Sequence, residues 1–258
     1  MSIKITLKNK INEKLVKNYV LFCDENFKIN GLNKLSISNQ SSAINKSINS
    51  SITKNKDFLS FNVNPVQKII LIKIKKNQSS LESEKIGAKF FNFIETNSIF
   101  SLNFFDNNIK NITPNNKHFL DDFMHGLKLK SYNFKKYKSD KKKDFFEITI
   151  FSKNKLTDFG KNRKFLSLIE GTNLTKDLVS EPGNILHPDE YSKRIKSLKK
   201  YGLKIVVYDE KKLKQLGMNA LLGVGQGSIR GSYLVTIEWK GANSKNKPLA
   251  FVGKGVCF

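Results

Sequence analysis

The stretch that decides the fold is KIILIKI, residues 68–74. Ile69, Ile70, Leu71 and Ile72 leave neither face of an extended chain polar, so this strand is predicted to lie inside a sheet covered on both sides. Sheets of that kind are built from strands that alternate with helices, and the flanking sequence alternates in the same way. Upstream, SIKITL (2–7) and YVLFC (19–23) are short, β-branched and aromatic, which predicts strands. Downstream, Ile86, Phe90, Phe93 and Ile94 recur at helical spacing and predict an amphipathic helix over 81–95. SIFSLNFF (98–105) reads as a strand, Leu120, Phe123, Met124 and Leu127 as a second helix, and FFEITIF (145–151) as a further strand. Residues 27–57, rich in Asn, Ser and Lys around SNQSSAINKSINSS, are predicted to be a loop or irregular strands of low order. The fold class is α/β.

A second block starts near residue 160. Phe165, Leu168 and Ile169 open a long predicted helix that runs to about Ser180 and stops at Pro182-Gly183. The next helix follows ILHPDEY, with Pro188 suited to its first position and Asp189 and Glu190 near the positive end of its dipole. Tyr191, Ile195 and Leu198 form its apolar stripe and Gly202 closes it. LKIVVYD (203–209) is then a strand, and Asp209 caps a short helix with Leu213 and Leu216 that ends at Gly217. YLVTIEW (233–239) and PLAFVG (248–253) read as two more strands, and the alternation predicts a mostly parallel sheet.

The chain has 258 residues, 39% hydrophobic with 20 Phe, enough for one large domain or two modest ones with a real core. Its net charge of +24 suits a nucleic acid or an acidic membrane surface. A bias of composition accounts for it better, since Lys, Asn and Ile are abundant everywhere and the lysines are scattered rather than clustered. The densest run, KKYKSDKKK (135–143), has no aromatic platform or Gly-rich cradle beside it and reads as a solvated loop. Cys23 and Cys257 lie far apart in apolar runs, which predicts reduced, buried thiols and neither a disulfide framework nor a zinc site. No signal-peptide pattern opens the chain and no apolar run is long enough to span a bilayer, so no membrane partner and a cytosolic location are expected.

Three stretches carry candidate chemistry. TKDLVSEPGNILHP (175–188) is a helix exit with Glu181 and Asn184 placed to bond backbone groups. GVGQGS (223–228) could bring backbone amides to an anion, but it is neither a P-loop nor GxGxxG, and a tight turn before the next strand accounts for it. In FVGKGV, Lys254 stands between two glycines, either reaching into a cleft at the carboxyl edge of a sheet or pointing to solvent. His118, His125 and His187 have no His, Cys or Asp partner at ligand spacing. No Gly-x-Ser-x-Gly elbow is present.

Taken in order, DLVSEPGNILHP (177–188), LGMNALLGVGQGS (216–228), LVTIEWKG (234–241) and FVGKGVCF (251–258) resemble the leucyl aminopeptidase, or cytosol aminopeptidase, family. GLKLKSYNFKKYKS (126–139) is similar to the helix that ends that family's N-terminal domain. The resemblance implies a macro-like N-terminal α/β domain over 1–155, then the beginning of an α/β metallopeptidase catalytic domain over 160–258. It implies removal of N-terminal residues, often leucine, from peptide substrates by a cytosolic homo-hexamer, some members of which also bind DNA. Two divalent metal ions, manganese or zinc, would polarise the scissile carbonyl and lower the pKa of a bridging water. The lysine of the GKG motif is a metal ligand in the family, so Lys254 inherits that role. The family's next ligand is an aspartate following the position of Phe258, and its other carboxylates, its second catalytic lysine and a bicarbonate-supporting arginine come later. The expectation is that this chain alone neither retains two metal ions nor hydrolyses peptides, and that no other catalytic residue lies within it. Ser180 and Cys257 stand where the family usually has Asn and Thr.

Overall fold

Residues 68–73 form an interior strand, as their apolar run requires. The computed structural model describes residues 2–10, 12, 16–51, 56–106, 109–139, 145–152, 163–241 and 247–257. It divides into two compact units, Met1–Thr175 and Lys176–Phe258. The break in sequence character over 155–160 falls outside the described residues.

In the first unit, β1 (Ser2–Lys8), β2 (Asn18–Cys23), β3 (Phe58–Asn62), β4 (Lys68–Lys73), β5 (Ser101–Phe105) and β6 (Phe145–Phe151) form one sheet in the order β1-β6-β5-β2-β4-β3. Every neighbouring pair is parallel except β3 with β4. Successive side chains of a strand point to opposite faces, and the two faces bury two separate apolar clusters. Val20, Phe22, Ile70, Ile72, Phe104 and Ile148 face α2 (Ser80–Thr96) and α4 (Phe119–Lys130). Tyr19, Leu21, Ile69, Leu71 and Phe105 face the segment that follows β2.

That following segment corrects the expectation for 27–57. Two short 3-10 helices, Leu32–Lys34 and Ser36–Gln40, lead into α1 (Ser41–Ser51). Ile44 and Ile48 lie one helical turn apart and are buried with Ile37 against the sheet. Three isoleucines are enough to anchor a helix whose other side chains are polar, because tertiary burial outweighs composition. The antiparallel edge strand β3 was also not foreseen; its Leu59 is buried in the same cluster.

Helices α2 and α4 lie backbone to backbone. A Cβ at Gly87 would run into the carbonyl oxygen of Phe123, and one at Gly126 into that of Glu84. Helix α2 starts at a capping box: Glu82 N–H donates to Ser79 Oγ at 3.3 Å, and Ser79 N–H donates to Glu82 Oε2 at 3.0 Å. Phe123 sits at the centre of the aromatic layer, 5.8 Å and 88° from Phe22 and within 6 Å of Phe90 and Phe104. Helix α3 (Ile109–Ile112) bridges β5 and α4.

Helix α5 (Arg163–Ser180) precedes α6 (Pro188–Ser197), β7 (Lys204–Tyr208), α7 (Glu210–Gln215), α8 (Asn219–Gly225) and β8 (Leu234–Glu238). In the second unit β7 and β8 pair antiparallel, with Tyr208 opposite Leu234 and Lys204 opposite Glu238. This corrects the parallel sheet expected there. Gly217, in the left-handed conformation at φ 68°, separates α7 from α8. The two short helices therefore provide no single return path, and β8 starts where β7 finishes. The strand expected at 248–253 is also corrected: 247–257 is irregular and has no ladder partner among the described residues.

Candidate functional site

The second unit holds its polar chemistry around α6. Helix α5 ends at Ser180, and Pro182 carries the turn, its carbonyl accepting the amides of Ile185 and Leu186, both at 2.9 Å. His187 is the N-cap of α6 and Pro188 its first residue. Arg194, one turn beyond Glu190, donates from Nε to Glu190 Oε1 at 2.9 Å and from Nη1 to Glu181 Oε1 at 3.0 Å. Glu181 is a helix-exit residue whose side chain is 2% exposed, and the guanidinium supplies its charge partner. The same fork holds the Glu190 carboxyl below its ordinary range.

Asp189 gathers a second set. Tyr233, just before β8, donates its hydroxyl to Asp189 Oδ1 at 2.6 Å. His187 Nδ1 lies 3.0 Å and Arg230 Nη1 3.7 Å from Oδ2. The Tyr233 hydrogen bond first, and His187 after it, depress the Asp189 carboxyl, and the same bond raises the Tyr233 phenol. The His187 Nδ1 also lies 3.5 Å from the Glu190 amide. One nitrogen cannot accept from an amide and donate to a carboxylate together, so whether Nδ1 carries a hydrogen decides between capping α6 and pairing with Asp189.

The glycine-rich stretch 223–228 is a helix end followed by a turn. Helix α8 reaches Gly225, and Ser228 N–H then bonds the Gly225 carbonyl at 3.0 Å. The tight turn is there, but it starts later than GVGQGS suggests. The return to β8 is fastened at three points: Arg230 and Tyr233 on Asp189, and Ser232 N–H on Glu210 Oε1 at 3.1 Å.

Lys254 lies on the irregular segment 247–257 with its side chain exposed. Its neighbour Gly255 packs on the ring of Tyr191, where an added Cβ would come within 2.5 Å of Cε1. Among the described residues no group of three or more His, Cys, Asp or Glu is placed to hold a metal ion. Lys254 alone does not make a two-metal centre, since a lysine binds metal only as the neutral amine and through one atom. In the first unit His125 Nδ1 lies 3.1 Å from Glu84 Oε2 and His118 Nδ1 lies 3.8 Å from Asp121 Oδ2, so each ring has a carboxylate neighbour. The Cys23 thiol is buried, donates to the Ile72 carbonyl at 3.4 Å and is pushed up to about 12 by burial, so it is inert.

The model of the catalytic domain of the cytosol aminopeptidase family matches residues 173–258, the span that contains α6, its two carboxylate clusters and Lys254. Over those residues the chain is similar to that family's catalytic domain. The probable cytosol aminopeptidase of Phytoplasma mali (strain AT) is 46% identical over 144 residues, covering 53% of this chain and 29% of the relative. That of Phytoplasma australiense is 45% identical over 138 residues, 53% of this chain and 28% of the relative. Among solved structures, a mutant of tomato leucine aminopeptidase superposes with a TM-score of 0.72 at 17% identity, over 95% of this chain and 52% of the tomato chain. The bottromycin maturation enzyme BotP in complex with Mn superposes with a TM-score of 0.64 at 14% identity, over 87% of this chain and 45% of that one. The chain thus spans under a third of the length of these two curated cytosol aminopeptidases and about half of the two solved ones.

Of this family segment, sequence pattern located Pro188, the Asp209 cap and Gly217. It missed the Glu181–Arg194 pair and the Asp189–Tyr233 bond, which join residues 13 and 44 positions apart. Only Glu190–Arg194 carried a legible signal, the four-residue spacing of a helical ion pair.

Proposed function

We propose that this chain supplies the N-terminal domain and the first part of the catalytic domain of a metal-dependent aminopeptidase, one that removes N-terminal residues, often leucine, from peptides. The observation that carries the reading is the family match over 173–258, which includes the Gly-Lys-Gly motif at 253–255. In this proposal Lys254 is one metal ligand and the carboxylates that complete a manganese or zinc pair come from elsewhere in the family fold. BotP is a structural neighbour in complex with Mn, which supports a divalent metal in this fold. When bound, such ions act as Lewis acids on a peptide carbonyl and supply hydroxide at neutral pH. The described residues do not form that centre, so the chain alone is expected to be inactive. A cytoplasmic homo-hexamer belongs to the same proposal.

The test is a chimera. Residues 173–258 are exchanged into the corresponding stretch of the Phytoplasma mali relative and assayed beside the unaltered relative, with Mn2+, on a leucine-initiated peptide. The expected result is release of leucine by the chimera, with loss of both release and bound metal on Lys254→Ala. A folded chimera that releases no leucine while the unaltered relative does so overturns the reading.

A further inference from the structure

Lys254 stands between two glycines that are not equivalent. Among the described glycines, positive φ occurs at Gly31, Gly202 and Gly217, so neither Gly253 nor Gly255 is there to make a left-handed turn. A Cβ added at Gly253 would meet nothing within 4 Å. One added at Gly255 would come within 2.5 Å of Cε1, 3.2 Å of Cδ1 and 3.6 Å of Cζ of Tyr191. Glycine is needed at 255 because the main chain runs against the Cε1 corner of that ring.

The ring belongs to the best-fastened element of the second unit. Tyr191 is in α6, and its N–H donates to the His187 carbonyl at 2.9 Å. Three residues on, Arg194 ties the helix to Glu181 at the exit of α5. Two residues back, Asp189 accepts the Tyr233 hydroxyl at 2.6 Å and so fixes the helix to the chain entering β8. Segment 247–257, by contrast, has no ladder partner among the described residues. The Tyr191 ring joins that segment to the fastened part of the unit, one residue beyond Lys254.

We infer that Tyr191 is a positioning residue for Lys254. Its ring seats Gly255 and thereby sets where the Lys254 main chain, and with it the amine, is presented. The inference rests on the reading of Lys254 as a metal ligand, although the seat itself does not. A lysine amine rides on a flexible carbon stem, so an unanchored backbone spreads it over many positions. A working ligand is held to within about 0.5 Å by the residues behind it. Losing such a supporting residue costs about 10- to 100-fold in metal affinity.

The test has two arms. In the full chain without metal, a proton NMR cross-peak is expected between the Tyr191 ε protons and the Gly255 α protons. The Gly255 amide order parameter should sit near about 0.85 and fall below about 0.6 in Tyr191→Leu, while β7 and β8 keep theirs. Tyr191→Phe should restore it, because the ring and not the hydroxyl makes the seat. In the second arm, Mn2+ is titrated into the chimera that carries residues 173–258 in the Phytoplasma mali relative. Tyr191→Leu and Gly255→Ala each weaken binding by about tenfold or more, and Tyr191→Phe restores it. Gly255→Ala costs less in the Tyr191→Leu background, since the ring that its methyl would strike is gone.

Absence of the cross-peak in the full chain overturns the inference, and so does equal Mn2+ binding by the Tyr191→Leu and parent chimeras. A chimera whose Mn2+ binding follows the ring but which releases no leucine upholds the inference and counts only against the aminopeptidase reading. A chimera that binds no Mn2+ counts against Lys254 as a ligand, and the cross-peak and order parameter then decide the seat.

Discussion

The two units of this chain solve the burial problem to different extents. In the first, a sheet of five parallel strands and one antiparallel edge strand is covered on both faces, and Phe22, Phe90, Phe104 and Phe123 interlock beneath α2 and α4. In the second, charged clusters at Arg194 and Asp189 tie the ends of α6 and β8, Ile205 and Leu213 are buried, and Trp239, Phe251 and Val252 are exposed. The contrast teaches that local signals suffice to form helices, caps and a ribbon, whereas a core requires enough chain to close both sides of a sheet. Ion pairs and caps fix these turns but add little to stability, because each such interaction contributes little net free energy.

The largest effect is expected at Phe123. Phe123→Ala removes the ring at the junction of the two helices and the sheet and should cost about 3–5 kcal/mol in urea unfolding of the first unit. Amide exchange in β7 and β8 should not change. An equal loss in both units would break the comparison.

A smaller and local effect is expected at Arg194. Arg194→Ala removes the guanidinium from beside the Glu181 carboxylate, whose side chain is almost fully buried, but the guanidinium is itself 27% exposed, so the loss is about 2 kcal/mol. Faster amide exchange in α6 is the readout. Arg194→Lys should recover less than half, because an ammonium cannot fork between Glu181 and Glu190. Unchanged exchange in the alanine variant would show that the fork does not hold α6.

The smallest effect concerns pH. Asp106 is 1% exposed at the carboxyl end of β5, and burial raises its carboxyl above the ordinary range against the lowering influence of Ser152. A carboxyl raised in the folded state holds a proton that the unfolded chain has released, so its stabilising share is full below the ordinary carboxylate pKa and is lost as pH rises through the raised one. Asp106→Asn removes that loss. The stability difference between Asp106→Asn and the parent should therefore grow in favour of the variant from acid pH upward. A difference independent of pH would show that Asp106 ionises normally.

Much of the first unit was legible because its signals are periodic. KIILIKI, the Phe90–Ile94 repeat and FFEITIF each announce an element and the face it buries. Helix α1 was not legible, since three buried isoleucines in 27–57 are outnumbered by Asn, Ser and Lys and only contact with the sheet makes them count. In the second unit, Pro188, Asp209 and Gly217 were readable because capping and turn chemistry is local. The direction of β8 and the irregular course of 248–253 were not, because strands are defined by partners and the sequence of a strand does not name them. Lys254 was singled out by its glycine neighbours and its motif. The contact of Gly255 with the Tyr191 ring, 64 residues earlier in the chain, became visible only in three dimensions.

Native-state hydrogen exchange reads both units in one sample. If the first unit is a closed core and the second an open platform, amides of β2, β4 and β5 exchange only by global unfolding of their unit. Those shared by β7 and β8 should then exchange about 100-fold faster or more, through local opening. Protection of the β7–β8 ribbon equal to that of β4 would contradict the account.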